Sequence, residues 1–77
     1  MKISYKKLRL DDLWSTWKGS TPYSNGRIEI WVDFNRMLKP FIKARVSGHD
    51  CKSFNFSKSG LQKAKDYVAR CLRDDGI

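Results

Sequence analysis

Residues 27–35 read RIEIWVDFN, and their alternation decides the fold. Ile28, Ile30, Val32 and Phe34 share one face of an extended chain, while Arg27, Glu29, Trp31 and Asp33 share the other. A strand with one apolar and one polar face belongs in an antiparallel sheet that is covered on one side. Two more strands follow. Residues 36–39 supply a turn, Pro40 is tolerated where a strand begins, and residues 41–47 (FIKARVS) place Ile42, Ala44 and Val46 inward and Phe41, Lys43 and Arg45 outward. After a turn at Gly48, His49 and Asp50, residues 51–57 (CKSFNFS) set Phe54 and Phe56 inward and Ser53 and Asn55 outward. The result is a three-stranded meander.

A sheet with one apolar face needs a lid, and the next segment provides it. Ser57 and Ser59 offer capping hydroxyls, after which Leu61, Ala64, Val68, Cys71 and Leu72 recur at helical spacing as a single apolar stripe. Tyr67 borders the stripe and roofs one edge, Asp66 and Arg70 are spaced as an i, i+4 pair, and Asp74, Asp75 and Gly76 end the helix.

Working back toward the amino terminus, Leu10, Leu13, Trp14 and Trp17 fall at i, i+3, i+4 and i+7, the spacing of a short helix with both tryptophans on one side. Asp11 and Asp12 near its start, Lys18 near its end and a stop at Gly19 agree with that reading. Residues 2–9 (KISYKKLR) suit either a short strand or an extended basic arm, and residues 20–26 (STPYSNG) form a loop. The expected architecture is therefore α+β: a three-stranded antiparallel sheet packed against a C-terminal amphipathic helix, preceded by a short N-terminal helix or arm. Residues 1–26 form the arm, short helix and loop, and residues 27–77 the sheet-plus-helix domain.

The chain's 77 residues fit one domain, and ten aromatic residues with 40% apolar content exclude a disordered basic tail. Charge is uneven along it. Between Arg36 and Arg73 lie ten Lys or Arg against Asp50 and Asp66, so this segment carries the whole net charge of +8. Clustered bases in a small folded unit are the electrostatic footprint of a polyanion partner, because each neutralised phosphate releases a counterion. There is no apolar run long enough to span a bilayer and no signal-like start, which points to an intracellular, cytoplasmic or nucleoid-associated protein with no membrane partner. Two cysteines give no disulfide framework.

Several chemistries are weighed and set aside. His49, Cys51 and Cys71 lack metal-ligand spacing, so no metal or other cofactor is expected. Asp33, Asp50 and Lys52 faintly echo a metal-dependent nuclease, yet Asp50 falls in a turn. One histidine without a nucleophile makes no triad, and no glycine-rich phosphate loop is present. The chain reads as a non-enzyme with no small-molecule substrate. Its outer sheet face instead displays side chains that hold phosphates or read bases, and the candidate contacts are Arg27, Trp31, Lys43, Arg45, Lys52 and Asn55. Glu29 and Asp33 share that face, where cross-strand pairing with Lys43 or Arg45 is their ordinary explanation.

The run Lys52-Ser-Phe-Asn-Phe-Ser-Lys-Ser-Gly60 leading into Leu61-Gln-Lys-Ala-Lys-Asp-Tyr-Val-Ala69 resembles the APETALA-two/ethylene-response-factor DNA-binding domain and its relatives among integrase arm-binding and phage homing-endonuclease accessory domains. Phe54, Phe56, Ala64 and Ala69 carry the likeness, which spans residues 27–73. It implies a sheet entering the DNA major groove, with Arg27, Trp31, Lys43 and Arg45 at the contacting positions. The expected function is a small basic DNA-binding protein, a phage or mobile-element regulator or recombination accessory. Two alternatives stay open: a protein-binding inhibitor or adaptor acting on a host complex, anchored by Trp31, Phe41 and Trp14, and an RNA-binding module that stacks bases on Trp31 and Phe41.

Overall fold

The computed structural model describes residues 4–21 and 26–75. Two 3₁₀ turns, Tyr5–Lys7 and Leu10–Trp14, lead into four strands, β1 (Trp17–Ser20), β2 (Arg27–Phe34), β3 (Pro40–Val46) and β4 (Lys52–Asn55), and a single helix, α1 (Lys58–Asp75). The strands form one antiparallel meander in the order β1-β2-β3-β4. The α+β class, the antiparallel sheet and the helical lid are as the sequence implies; the fourth strand is not.

β2 and β3 follow from their alternation. They pair from Ile28↔Val46 to Phe34↔Pro40, which stacks Ile28, Ile30, Ala44, Ile42 and Val46 on one face. α1 lies across β3 and β4 on that face, and Ile30, Ile42, Ala44, Val46, Ala64 and Val68 are wholly buried between them. Ser57 starts the helix as expected: its hydroxyl accepts from the Gly60 amide at 3.0 Å and its carbonyl from the Leu61 amide at 2.9 Å. The entry is tight, since a Cβ on Gly60 would lie 1.8 Å from the Asn55 carbonyl oxygen. Tyr67 closes the β4 edge by donating its hydroxyl to the Asp50 carbonyl. Asp66 accepts from Gln62 at 2.9 Å, one turn before it, in place of the expected pairing with Arg70.

The amino-terminal third departs from its sequence reading. Trp17 does not continue a helix; it opens β1, which pairs with β2 from Trp17↔Ile30 to Ser20↔Arg27. The helical spacing holds from Leu10 to Trp14, as a 3₁₀ turn, and fails at Trp17, because Gly19 has weak helix propensity and β2 has an edge to fill. Trp17 stabilises this short edge by folding its indole over Gly19, where an added Cβ would meet the ring at 2.3 Å. The two tryptophans therefore separate. Trp17 is half-buried and edge-on to Tyr5, with centroids 6.3 Å apart, whereas Trp14 is 55% exposed beside Phe34 and Phe56.

Residues 4–13 are neither strand nor free arm, and the part of the 2–9 reading that falls on residues 2 and 3 lies outside the described residues. Leu8 and Leu13 are buried in the same core as the sheet and helix, and the Lys65 ammonium donates to the Lys6 carbonyl at 3.0 Å. Residues 1–26 thus contribute a strand and two core leucines to the unit formed with residues 27–77. The remaining corrections are short: β3 begins at Pro40, the last strand stops at Asn55 with Phe56 and Ser57 in a bend, and α1 runs through Asp74 and Asp75. The loop residues Pro22–Asn25 and the helix stop at Gly76 lie outside the described residues, although the Thr21 amide donates to the Gly26 carbonyl at 3.1 Å across the mouth of that loop.

Candidate nucleic-acid interface

Antiparallel partners point to the same side of a sheet, so the register assigns the face opposite α1 row by row. One row is Lys18, Glu29 and Arg45; the next is Trp31, Lys43 and Ser53; the third is Asp33, Phe41 and Asn55. Arg27 sits at the other end, opposite Ser20. Its backbone is fixed there because its amide donates to the Ser47 hydroxyl at 2.9 Å and its carbonyl accepts from the Ser47 amide at 3.0 Å. α1 and the Leu10–Trp14 turn both pack on the opposite face, leaving this one to solvent.

The structure brings Arg27, Trp31, Lys43, Arg45 and Asn55 together on this surface. Lys52 is not among them. Its register partner is Ala44, so it leaves the sheet on the helix side, where it lines a shallow cleft with Phe54, Lys63, Asp66, Tyr67 and Arg70. The alternation that turns Phe54 inward does the same to Lys52, whose long stem reaches solvent past the edge of β4. Lys18 is the residue that the sequence reading missed. Its place beside Glu29 depends on β1, which the helix-like spacing conceals.

Two ion pairs organise the face. Arg45 donates to Glu29 across the β2–β3 ladder, and the Lys43 ammonium lies 3.5 Å from Asp33. These are the cross-strand pairings expected of the two acids. Hydrogen bonding from Arg45, more than its charge, lowers the Glu29 carboxyl from its ordinary value and raises Arg45 in turn. Asp33 is lowered chiefly by the Phe34 amide, which donates to it at 2.8 Å, and further by Lys43 and Trp31. Both acids thus remain ionised at neutral pH. Lys43 also lies 5.6 Å from the Phe41 ring centroid, a cation–π distance. Lys43 and Arg45 are therefore each engaged on the sheet, while Arg27 and Lys18 are exposed at its margin.

The cysteines stay separate as thiols, Cys51 exposed and Cys71 buried. Tyr67 is partly buried and hydrogen-bonded to Cys71, and partial burial first and that bond second push its hydroxyl pKa up to about 12. Among the described residues no three His, Cys, Asp or Glu gather as metal ligands, and no helix is long and apolar enough to cross a membrane. No family model, curated protein or solved structure matches the chain.

Proposed function

We propose that this protein binds duplex DNA through the outer face of its sheet, as a small intracellular regulator or recombination accessory of the phage or mobile-element kind. The observation that carries this reading is the uncovered β2–β3 face, on which Arg27, Lys43, Arg45, Trp31 and Asn55 stand in register. Strands can present side chains to a major groove, and the β2–β3 pair at the centre of this four-stranded sheet would turn its outward side chains to phosphates and base edges. The order β2, β3, β4, α1 is also the order that the resemblance to the APETALA-two/ethylene-response-factor domain implies, with β1 added in front. In this role Arg45 and Lys43 exchange carboxylate partners for phosphate or base acceptors, and Asn55 and Trp31 complete the footprint. No catalytic step is part of the reading.

Titration of labelled duplex over a range of salt concentrations tests it. Log affinity should fall linearly with log salt, by a slope of about 0.9 per phosphate neutralised. A flat response removes the proposal. Comparing duplex DNA, single-stranded DNA and duplex RNA in the same assay separates it from RNA binding.

One observation favours a second reading. Trp14, 55% exposed, lies 6.1 Å from Phe34 and 5.4 Å from Phe56, and such an aromatic group can anchor a protein partner. Capture of one specific protein from nuclease-treated host lysate, lost on Trp14→Ala, would favour that adaptor reading.

A further inference from the structure

The turn between β2 and β3 presents Met37 and Leu38 at 75% and 80% exposure, the two most exposed large apolar side chains of the described residues. The hairpin reaches past its neighbours before it turns. Its last pair, Phe34↔Pro40, lies beyond the final pair with β1, Trp17↔Ile30, and the final pair with β4, Phe41↔Asn55. The two side chains are thus carried at a projecting tip.

That tip is held rigidly. The Asn35 side-chain carbonyl accepts from the Met37 amide at 2.8 Å and from the Lys39 amide at 3.0 Å. Backbone bonds from Leu38 to Asn35 at 2.9 Å and from Asn35 to Lys39 at 3.0 Å close the loop. Leu38 sits at φ 60°, in the left-handed region that Gly or Asn occupies at lower energy. An apolar side chain thus stands where conformation favours another residue and where it gains nothing from burial.

The charge around the tip bears on the kind of partner it suits. Arg36 and Lys39 flank the two apolar residues, and from Phe34 to His49 the chain has four Lys or Arg and no acid. A rigid apolar point between cations, at the end of the β2–β3 contact face, is suited to a polyanion with an apolar interior that opens between planar layers. Stacked base pairs have that character, and apolar side chains such as Leu and Met, inserted between base steps from the minor groove by other DNA-bending proteins, unstack a step and kink the duplex.

We infer that Met37 and Leu38 form a wedge that inserts between adjacent base pairs of duplex DNA while Arg36 and Lys39 hold the flanking phosphates. This rests on the DNA-binding reading above and adds a deformation to it. Flexible pyrimidine–purine steps, which open at least cost, are the sites it selects.

The experiment uses the full chain, a duplex rich in TA and CA steps, and permanganate, which oxidises unstacked thymines without the site being known beforehand. The wild type is compared with the double variants Met37→Ser/Leu38→Gly and Met37→Ala/Leu38→Asn, both compatible with the backbone at position 38. The expected result is a several-fold rise in reactivity at discrete thymines with wild type, lost in both variants, while their affinity for the same duplex stays within roughly tenfold of wild type. Wild-type binding without hyper-reactive thymines, or the same pattern in both variants, overturns the wedge and leaves the DNA-binding reading standing. Failure of the wild type to bind duplex overturns both. Sedimentation with vesicles containing phosphatidylserine is run in parallel. Tip-dependent vesicle binding with no thymine exposure overturns the wedge in favour of a lipid surface.

Discussion

The two faces of the sheet are built from alternate residues of the same strands, yet they are held by different forces. On the inner face Ile30, Ile42, Ala44 and Val46 are wholly buried under α1, and each is fixed by volume. On the outer face Glu29, Asp33, Lys43 and Arg45 are held by hydrogen bonds and charge, with water on one side. The first arrangement determines whether the chain folds. The second contributes little to folding and leaves its groups free to change partners. A small domain can therefore carry a candidate contact surface on its main structural element, because a strand separates the two faces at every second residue.

The strongest way to break this comparison is to damage the inner face. Ile30→Ala should cost about 2–5 kcal/mol, a large part of the roughly 4–12 kcal/mol available to a chain of this size. Urea unfolding measures the loss, and DNA affinity of the molecules that remain folded should be unchanged. Damage to the outer face should do the reverse. Replacing Lys43 and Arg45 together by Ala should lower DNA affinity by about tenfold or more and reduce the salt slope by nearly 2, with little change in the urea midpoint. Unchanged affinity would clear this face of the role.

Subtler substitutions sharpen the division. Glu29→Gln releases Arg45 from its carboxylate and removes one negative charge, so affinity for duplex at low salt should rise by about two- to fivefold. A fall would mean that Glu29 serves to aim Arg45. The acids also set an acid limb. Both have carboxyl pKa values lowered by folding, so their contribution is complete above the ordinary carboxylate range and lost as pH falls through the lowered values. Urea midpoints taken between about pH 5 and pH 2 should show that loss shrinking in the Glu29→Gln, Asp33→Asn double variant.

Tyr67→Phe should have the smallest effect, about 1 kcal/mol, from the lost hydrogen bond to the Asp50 carbonyl. Tyr67 has its hydroxyl pKa raised by burial to about 12, so its contribution is complete below the ordinary value near 10 and disappears as pH rises through 12. Ultraviolet titration of tyrosinate should show this late group, absent from the Phe variant.

The same division explains what could be read from the sequence. Residues 27–35 and 41–47 alternate because one face is buried, and burial leaves a strict pattern, so β2, β3 and the stripe of α1 are visible without coordinates. β1 leaves almost no pattern. Its inner residues are Trp17 and Gly19, its partner strand begins ten residues away at Arg27, and Leu10, Leu13 and Trp14 happen to supply helical spacing ahead of it. The candidate contact surface is legible only as far as the strands are. Arg27, Trp31, Lys43, Arg45 and Asn55 share it by parity, Lys18 is hidden with β1, and Lys52, a candidate by residue type, has the parity of Phe54 and lies on the other side. A surface cation can satisfy itself in many directions, so its residue type carries less positional information than that of a buried isoleucine.

The sheet ends in two edge strands of four residues each, Trp17–Ser20 and Lys52–Asn55, and each bears a lysine. Such an edge offers few unpaired backbone groups and sets like charges against one another when two copies approach. Two copies can therefore meet at high concentration without their sheets joining edge to edge into a filament.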